Sequence, residues 1–499
     1  MNLNAKTIIL IIMTVYCLLF IQRNSFDVFG EKYFVLADDV MISMDYAKNF
    51  VEGNGLVWYK GAERVEGYSN PLWVLYMTIP HILHIPLSKT SLFIQISGMI
   101  ILMLTVYYTG KLAEMVSGSS IVAMIFVASY YPILYWSLMG FEVSILMLIT
   151  VVVALAGVKC IKRREPLPVI YYVLIGLATL IRIDMVVIYI SVWLYFVYKN
   201  TPNNRIKSIV HGGAILAVFL GIQTVFRLWY FGDILPNTYY LKMTGYPVLM
   251  RIKYGFIAYW HFALRYYIVV PVIPFLFLNK YTKYIAWLFI AQSAYSIYAG
   301  GDAWEQFGGS NRFISVVIPL FFVLLSVSIV RICKNYLHGF DGWKTLIPIV
   351  VCIIIFNHAV FKEQLMLVRP FDMNGIQQMV ERGLIFKRFL PADYKIAVIW
   401  AGIIPYFSEM PCTDIQGKCD KYIARKKSDD SYGYNPGHMK WDYDYSLNKL
   451  KPDIIPFIVS KQKEVLYPII RENYTEITVN PNPGEVNHSF YILNKHLKR

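Results

Sequence analysis

Apolar runs of about twenty residues, divided by short polar segments, recur from the first residues of this chain to about position 361. No other feature limits the fold as much. A helix rises 1.5 Å per residue, so about 20 apolar residues cross the ~30 Å hydrocarbon core of a bilayer. Lipid offers the backbone no hydrogen-bonding partners, so a chain with many such runs folds as a bundle of helices. Composition agrees: hydrophobic residues make up 57% and charged residues 16%, against roughly 45–50% and 25% in soluble domains.

The candidate spans cover about 5–22, 91–112, 119–138, 143–159, 167–182, 184–198, 208–230, 264–279, 284–299, 312–332 and 344–361, about eleven in all. Leu167 to Tyr198 would be roughly 48 Å long as one helix. Arg182-Ile183-Asp184 interrupts it, so it divides in two. The run Ile8–Ile21 follows Lys6 and exits at Gln22-Arg23-Asn24-Ser25 without a small-residue cleavage site. It reads as a retained first span rather than a signal peptide.

Residues 71–87 decide the orientation. They are apolar but contain Pro80, His81, His84 and Pro86. If they span, the basic clusters at Lys159–Arg164, Lys199–Lys207, Lys280–Lys283 and Arg331–Lys334 fall outside. If they lie in the membrane surface as an amphipathic helix, all of those clusters become cytoplasmic, as the Lys/Arg bias of membrane proteins requires. The second arrangement is expected, with the N-terminus inside. The net charge of +15 then reflects cytoplasmic loops, not a nucleic-acid surface. The first outer loop is 23–90, further outer loops fall near 139–142, 231–263 and 300–311, and the Arg182–Asp184 turn opens on the same side.

The expected architecture is an α-helical polytopic membrane domain, 1–361, followed by a small extracytoplasmic α/β domain, 362–499. In that tail the short apolar runs Ile396–Trp400, Ile454–Val459 and Ser489–Leu493 alternate with polar turns. The six cysteines show no metal-ligand spacing. Cys412 and Cys419 lie close together in the tail, and a local disulfide there stays open. His81 and His84 share helical spacing, but without a third ligand they do not make a metal site.

The first outer loop carries the most chemistry. Asp38 and Asp39 open a helical periodicity running from Met41 to Val51. Acidic residues there suit the positive end of a helix dipole, so capping is the plain reading. The alternative is a carboxylate that takes a proton from an acceptor hydroxyl. The loop continues through Gly53-Asn54-Gly55-Leu56-Val57 and Glu63-Arg64-Val65-Glu66-Gly67-Tyr68 to Asn70-Pro71-Leu72-Trp73.

Together these motifs resemble the first loop of the GT-C glycosyltransferase superfamily, and more narrowly the bacterial branch that includes terminal arabinofuranosyltransferases. Leu180-Ile181-Arg182-Ile183-Asp184 resembles that family's Thr-Arg-x-Asp/Glu turn. Gly232-Asp233-Ile234-Leu235-Pro236-Asn237-Thr238-Tyr239-Tyr240-Leu241-Lys242 is similar to its Gly-Asp-x-x-Pro-Asn-Thr-Tyr-Tyr-x-Lys loop. Gly300-Gly301-Asp302 with Asn311-Arg312-Phe313 resembles a later element, as do Gly402–Phe407 and Pro436-Gly437-His438-Met439-Lys440 in the tail. Two departures are the Arg-Ile-Asp turn, where the family often has Arg-Pro-Asp/Glu, and the Cys412/Cys419 pair.

The resemblance implies transfer of a sugar from a polyprenyl-phosphate donor to a cell-envelope glycan or glycolipid, such as lipopolysaccharide O-antigen, with inversion. The site would face the outer side of a bacterial inner membrane. Asp38 is then the base, and Asp39 holds the acceptor, a cation or a neighbouring helix. Arg182, Lys242 and Arg312 are candidates for the donor phosphate, whose charge must be stabilised as it leaves. Glu66, Asp184, Asp233, Asn237 and Asp302 complete the candidate substrate site. Other readings stand beside these: Arg182 paired with Asp184, Lys242 and Arg312 as interfacial anchors, and loop capping for Glu66, Glu142, Asp233, Asn237 and Asp302. No cofactor is assigned, and a divalent cation stays open. A lipid-linked-sugar transporter would place its ionisable residues near the bilayer midplane, and a non-catalytic assembly partner would not need the paired Asp.

Overall fold

The computed structural model describes residues 4–116, 118–199, 201–265, 272–303, 309–336, 342–429, 434–458, 463–479 and 487–497. Residues 266–271 of the expected span 264–279 lie outside them. The chain divides into two compact units that interleave along the sequence. The first takes Met1–Ser25, Leu92–Thr224 and Pro247–Pro370, and the second takes Phe26–Ser91, Val225–Tyr246 and Phe371–Arg499.

The first unit is helical. Among the described residues, six helices of the chain are long and apolar enough to cross a membrane: Ala5–Arg23, Leu87–Met115, Val143–Arg163, Asn204–Phe231, Ile318–Asn335 and Leu346–Gln364. A bent pair makes a seventh, and two shorter apolar helices are Val169–Ile181 and Met185–Lys199. The chain is a multi-pass membrane protein. Val143–Arg163 and Ile318–Asn335 are 72% and 78% buried within the protein, so they form the interior. Asn204–Phe231 is only 17% buried despite its hydropathy, which water would penalise and lipid does not. Close approach inside the bundle depends on small residues, as at Gly157, where a Cβ would overlap the Tyr284 ring.

The run 119–138, expected as one span, is two helices, Ser120–Ser129 and Tyr131–Leu138, bent by 61°. Pro132 in the first turn of the second helix cannot continue a helix begun upstream. The broken backbone is satisfied by side chains, as a membrane interior demands. Asn357 accepts from the Tyr131 N–H at 2.9 Å and donates to the Ser129 carbonyl at 3.0 Å, and Gln364 donates to that carbonyl at 2.9 Å. Tyr130 packs with Phe126, Phe322 and Phe356 in an aromatic cluster beside the bend.

The second unit begins with a hairpin, β1 (Phe26–Val28) against β2 (Glu31–Tyr33). Its turn residues Phe29 and Gly30 both have positive φ, the twist a two-residue hairpin needs. Helix Asp38–Val51 follows, then helix Pro71–Ile82, whose twelve residues reach only about 18 Å. Further along lie Asn237–Met243 and the helix Met373–Phe389. The tail forms a five-stranded mixed sheet of β3 (Ile396–Val398), β4 (Cys412–Asp414), β5 (Ile454–Ile455), β6 (Tyr474–Val479) and β7 (His488–Leu493), in the order β4-β3-β5-β7-β6. β3 runs parallel to β4 and to β5, with Val398 opposite Asp414. β7 runs antiparallel to β5 and β6. The short helix Ile403–Ser408 connects β3 to β4. In such sheets ligands and catalytic groups gather beyond the carboxyl ends of parallel strands.

Candidate active site

Asp38 and Asp39 occupy the first turn of helix Asp38–Val51, whose N-cap is Ala37 and has no side-chain cap. That position suits the helix dipole, as the plain reading expects, but the Asp38 side chain does not bond the backbone of its own helix. Its carboxylate reaches the loop beyond β3, where Oδ1 accepts the backbone N–H groups of Gly402 at 3.2 Å and Ile403 at 2.9 Å. Glycine is required at 402, because a Cβ there would collide with the Asp38 carbonyl. Asp38 is buried, and its Oδ2 has no hydrogen-bond partner among the described residues. Burial pushes the carboxyl up to about 6, while Lys418 and the Ile403 N–H hold it down and Asp39 pushes it further up. A carboxylate poised near neutrality with one oxygen unengaged has the properties of a general base.

Asp39 meets the loop beyond β4, with its Oδ1 2.5 Å from the Lys418 ammonium. Burial alone would depress Lys418, but Asp39 and Asp38 outweigh it and hold the ammonium above its ordinary value. His438 stands beside Asp39, Lys418 and Lys242, and burial together with Lys418 lowers it to about 4. One helical face further on, Asp45 is buried with Oδ2 unpartnered, and burial drives its carboxyl well up.

The other expected residues of this unit have partners of their own. Glu66 is buried against Arg227, 2.7 Å from its Nε, and burial holds the Glu66 carboxyl near 6 against the pull of that guanidinium. Asp233 pairs with Arg425 at 2.6 Å. Asn237 donates its side-chain amide to the carbonyls of Gly417, Lys418 and Asp420. Lys242 runs past Gly437, where a Cβ would come within 3.0 Å of its Cε.

Arg182, Asp184, Asp302 and Arg312 belong to the first unit. Arg182 clamps Asp184 through Nε and Nη2 at 2.6 and 2.9 Å, Glu142 through Nη1 at 3.2 Å, and the Arg312 carbonyl through Nη2 at 3.3 Å. Gln292 adds a bond to Asp184 at 3.1 Å. Arg312 grips Asp302 with two bonds of 2.7 Å and lies over the Phe141 ring. These bidentate pairs neutralise both guanidinium groups.

Lys418, Asp414, Arg227 and Asp45 were missed in the sequence. Asp414-Ile415-Gln416-Gly417 has the composition of an Asx turn, which would have flagged the loop though not its lysine. Cys412 and Cys419 are both free and buried, so the disulfide left open is not formed. Among the described residues no group of three or more His, Cys, Asp or Glu side chains is arranged to hold a metal ion.

Several solved structures share this fold. ArnT from Cupriavidus metallidurans bound to undecaprenyl phosphate matches 98% of this chain and 97% of its own, with a TM-score of 0.56 at 10% identity. The same enzyme in the apo state gives a TM-score of 0.52 at 11% identity, covering 98% of each chain. The Archaeoglobus fulgidus oligosaccharyltransferase gives 0.50 at 11% identity, over 97% of this chain and 74% of that one. At such identities the likeness establishes a shared fold and nothing beyond it. Residues 372–491 match a family described as a domain of unknown function, DUF8728. No curated protein matches the chain.

Proposed function

We propose that this chain is a membrane glycosyltransferase that moves a sugar from a polyprenyl-phosphate donor to a cell-envelope glycan. The observation that carries the reading is the Asp38 carboxylate, bound to two backbone N–H groups through one oxygen and unengaged at the other. Asp38 Oδ2 takes the proton of the acceptor hydroxyl. The acceptor oxygen then forms a bond to the anomeric carbon, and polyprenyl phosphate leaves with the electron pair of the broken C–O bond. Attack opposite the leaving group inverts the anomeric centre. ArnT, whose fold this chain shares, binds undecaprenyl phosphate, which supports a lipid of that class as the donor's carrier.

Lys242, beside His438, is the candidate cation for the leaving phosphate. Arg182 and Arg312 are committed to buried carboxylates and are better suited to holding their loops. Eleven spans with the N-terminus in the cytoplasm and the tail outside would put Asp38 on the outer face of a bacterial inner membrane. A lipopolysaccharide-type acceptor fits that location. The rival reading, a transporter of lipid-linked sugars, gains no support from a buried base candidate in a short helix of the first loop.

The test uses membranes carrying the full chain and a panel of undecaprenyl-phosphate pentoses and hexoses. Asp38→Asn is expected to abolish transfer while leaving the protein folded in the membrane. Full transfer by that variant would remove Asp38 as the base.

A further inference from the structure

The segment matched by the domain of unknown function supplies more than a wall. Its turn after β4 is wired internally by Asp414, whose carboxylate accepts the N–H groups of Gln416, Gly417 and Cys419 at 2.7–3.0 Å. The same turn is held from another part of the chain by Asn237, which bonds its carbonyls at Gly417, Lys418 and Asp420. Lysines usually carry their charge to water at the end of a flexible stem. Lys418 does the opposite: it is buried, its stem starts from a doubly fastened turn, and its ammonium ends on Asp39. Burying an ammonium costs several kcal/mol unless a charged partner offsets it, so the contact is built rather than incidental.

We propose that Lys418 is a positioning residue for the transfer reaction: its ammonium fixes Asp39 and stands beside Asp38, so that the turn 414–420 completes the carboxylate site. The proposal rests on the transferase reading given above. Asp38 faces Asp39 and Asp45 on its own helix and Lys418 from the turn. Asp45 in turn faces Lys48 and Glu409, and Lys48 faces His81 of helix Pro71–Ile82. His438 faces Lys418, Asp39 and Lys242. Within this group Lys418 is the cation that acts on Asp38. Without it, two adjacent carboxylates repel one another, and Asp38 keeps its proton to higher pH, where it is useless as a base.

Two measurements on the full-length protein in detergent separate this proposal from the reading beneath it. The first is pH-dependent labelling by a hydrophobic carbodiimide, which attacks protonated carboxyls, with modification at Asp38 located by fragment mass spectrometry. The wild-type midpoint is expected near 6, Lys418→Met should raise it by about one unit or more, and Lys418→Arg should restore it. The second is the pH profile of transfer from the undecaprenyl-phosphate sugar panel. The acid limb of kcat/KM should move upward in Lys418→Met, with kcat recovering at high pH and the donor KM unchanged. A Lys418→Met protein that labels and titrates like wild type overturns the proposal, as does a Lys418→Arg shift equal to that of Lys418→Met. If the labelling midpoint moves but wild type transfers no sugar, the transferase reading fails while the Lys418–Asp38 coupling stands.

Discussion

Glu66→Gln and Arg227→Met break the same buried ion pair, yet they should fail differently, because only one of the partners left behind can shed its charge. Both side chains are buried, 4% and 3% exposed, with 2.7 Å between them. In Glu66→Gln the guanidinium stays charged at any workable pH, and stranding it costs about 3–5 kcal/mol. In Arg227→Met the carboxyl loses the cation that opposed its burial, titrates well above neutrality and stays protonated. The sign follows from the wild-type value of about 6, above the ordinary value of 4.5. A raised carboxyl favours the fold while protonated and weakens it as it ionises. Above pH 6 the intact pair gains on the Met variant by about 1.36 kcal/mol per pH unit, which is roughly 2 kcal/mol at pH 7.5 and little at pH 5.5. Thermal unfolding in detergent, followed by tryptophan fluorescence against wild type at both pH values, reads the difference. The Gln variant should unfold early at both, and the Met variant should recover much of its loss at pH 5.5. Equal losses by the Met variant at the two pH values would refute the argument. A Gln variant of wild-type stability but weakened donor binding would make Glu66 a sugar ligand instead.

Three further outcomes are expected. Gly402→Ala should lower transfer at least tenfold, since its methyl group displaces the N–H donors from Asp38, a loss of about 1.5 kcal/mol or more; unchanged turnover in the membrane assay would contradict this. The kcat/KM of wild type should rise through about pH 6 as Asp38 ionises and level off above it, and a rate falling over that interval would exclude an ionised Asp38 as base. Arg182→Lys keeps the charge but cannot reproduce the forked bonds to Asp184 and Glu142, so its thermal unfolding should fall by the equivalent of about 3 kcal/mol; an unaltered transition would show the clamp to be dispensable.

The helices were legible because lipid imposes a length and a composition that can be counted along the chain, as at Val143–Arg163 and Ile318–Asn335. The bend at Tyr130 was not foreseen, although Pro132 was in view: an X-Pro step marks a boundary only if something else satisfies the freed backbone, and that something is Asn357. The polar site was harder for the same reason. Asp38 stood out through its place before a helical periodicity. Its oxygen, however, is held by residues 364 and 365 positions away, and Asp39 meets a lysine 379 positions away. Buried charges are paired by tertiary structure, and no local pattern distinguishes Lys418 from the lysines that solvate a loop. The same holds for Glu66, whose partner lies 161 residues downstream.

The amide of Asn357 that spans the break at Tyr130 also sets an order of biogenesis. The Ser129 carbonyl and the Tyr131 N–H enter the bilayer with the early helices, while the side chain that satisfies both is made 226 residues after Tyr131. At about 5–20 residues per second that interval is roughly 10–45 s of translation. Through that time the kinked segment holds polar backbone that lipid cannot solvate, so it must stay beside water or the insertion machinery until the last apolar helices arrive. A truncation before residue 357 therefore leaves a bundle whose first half cannot close.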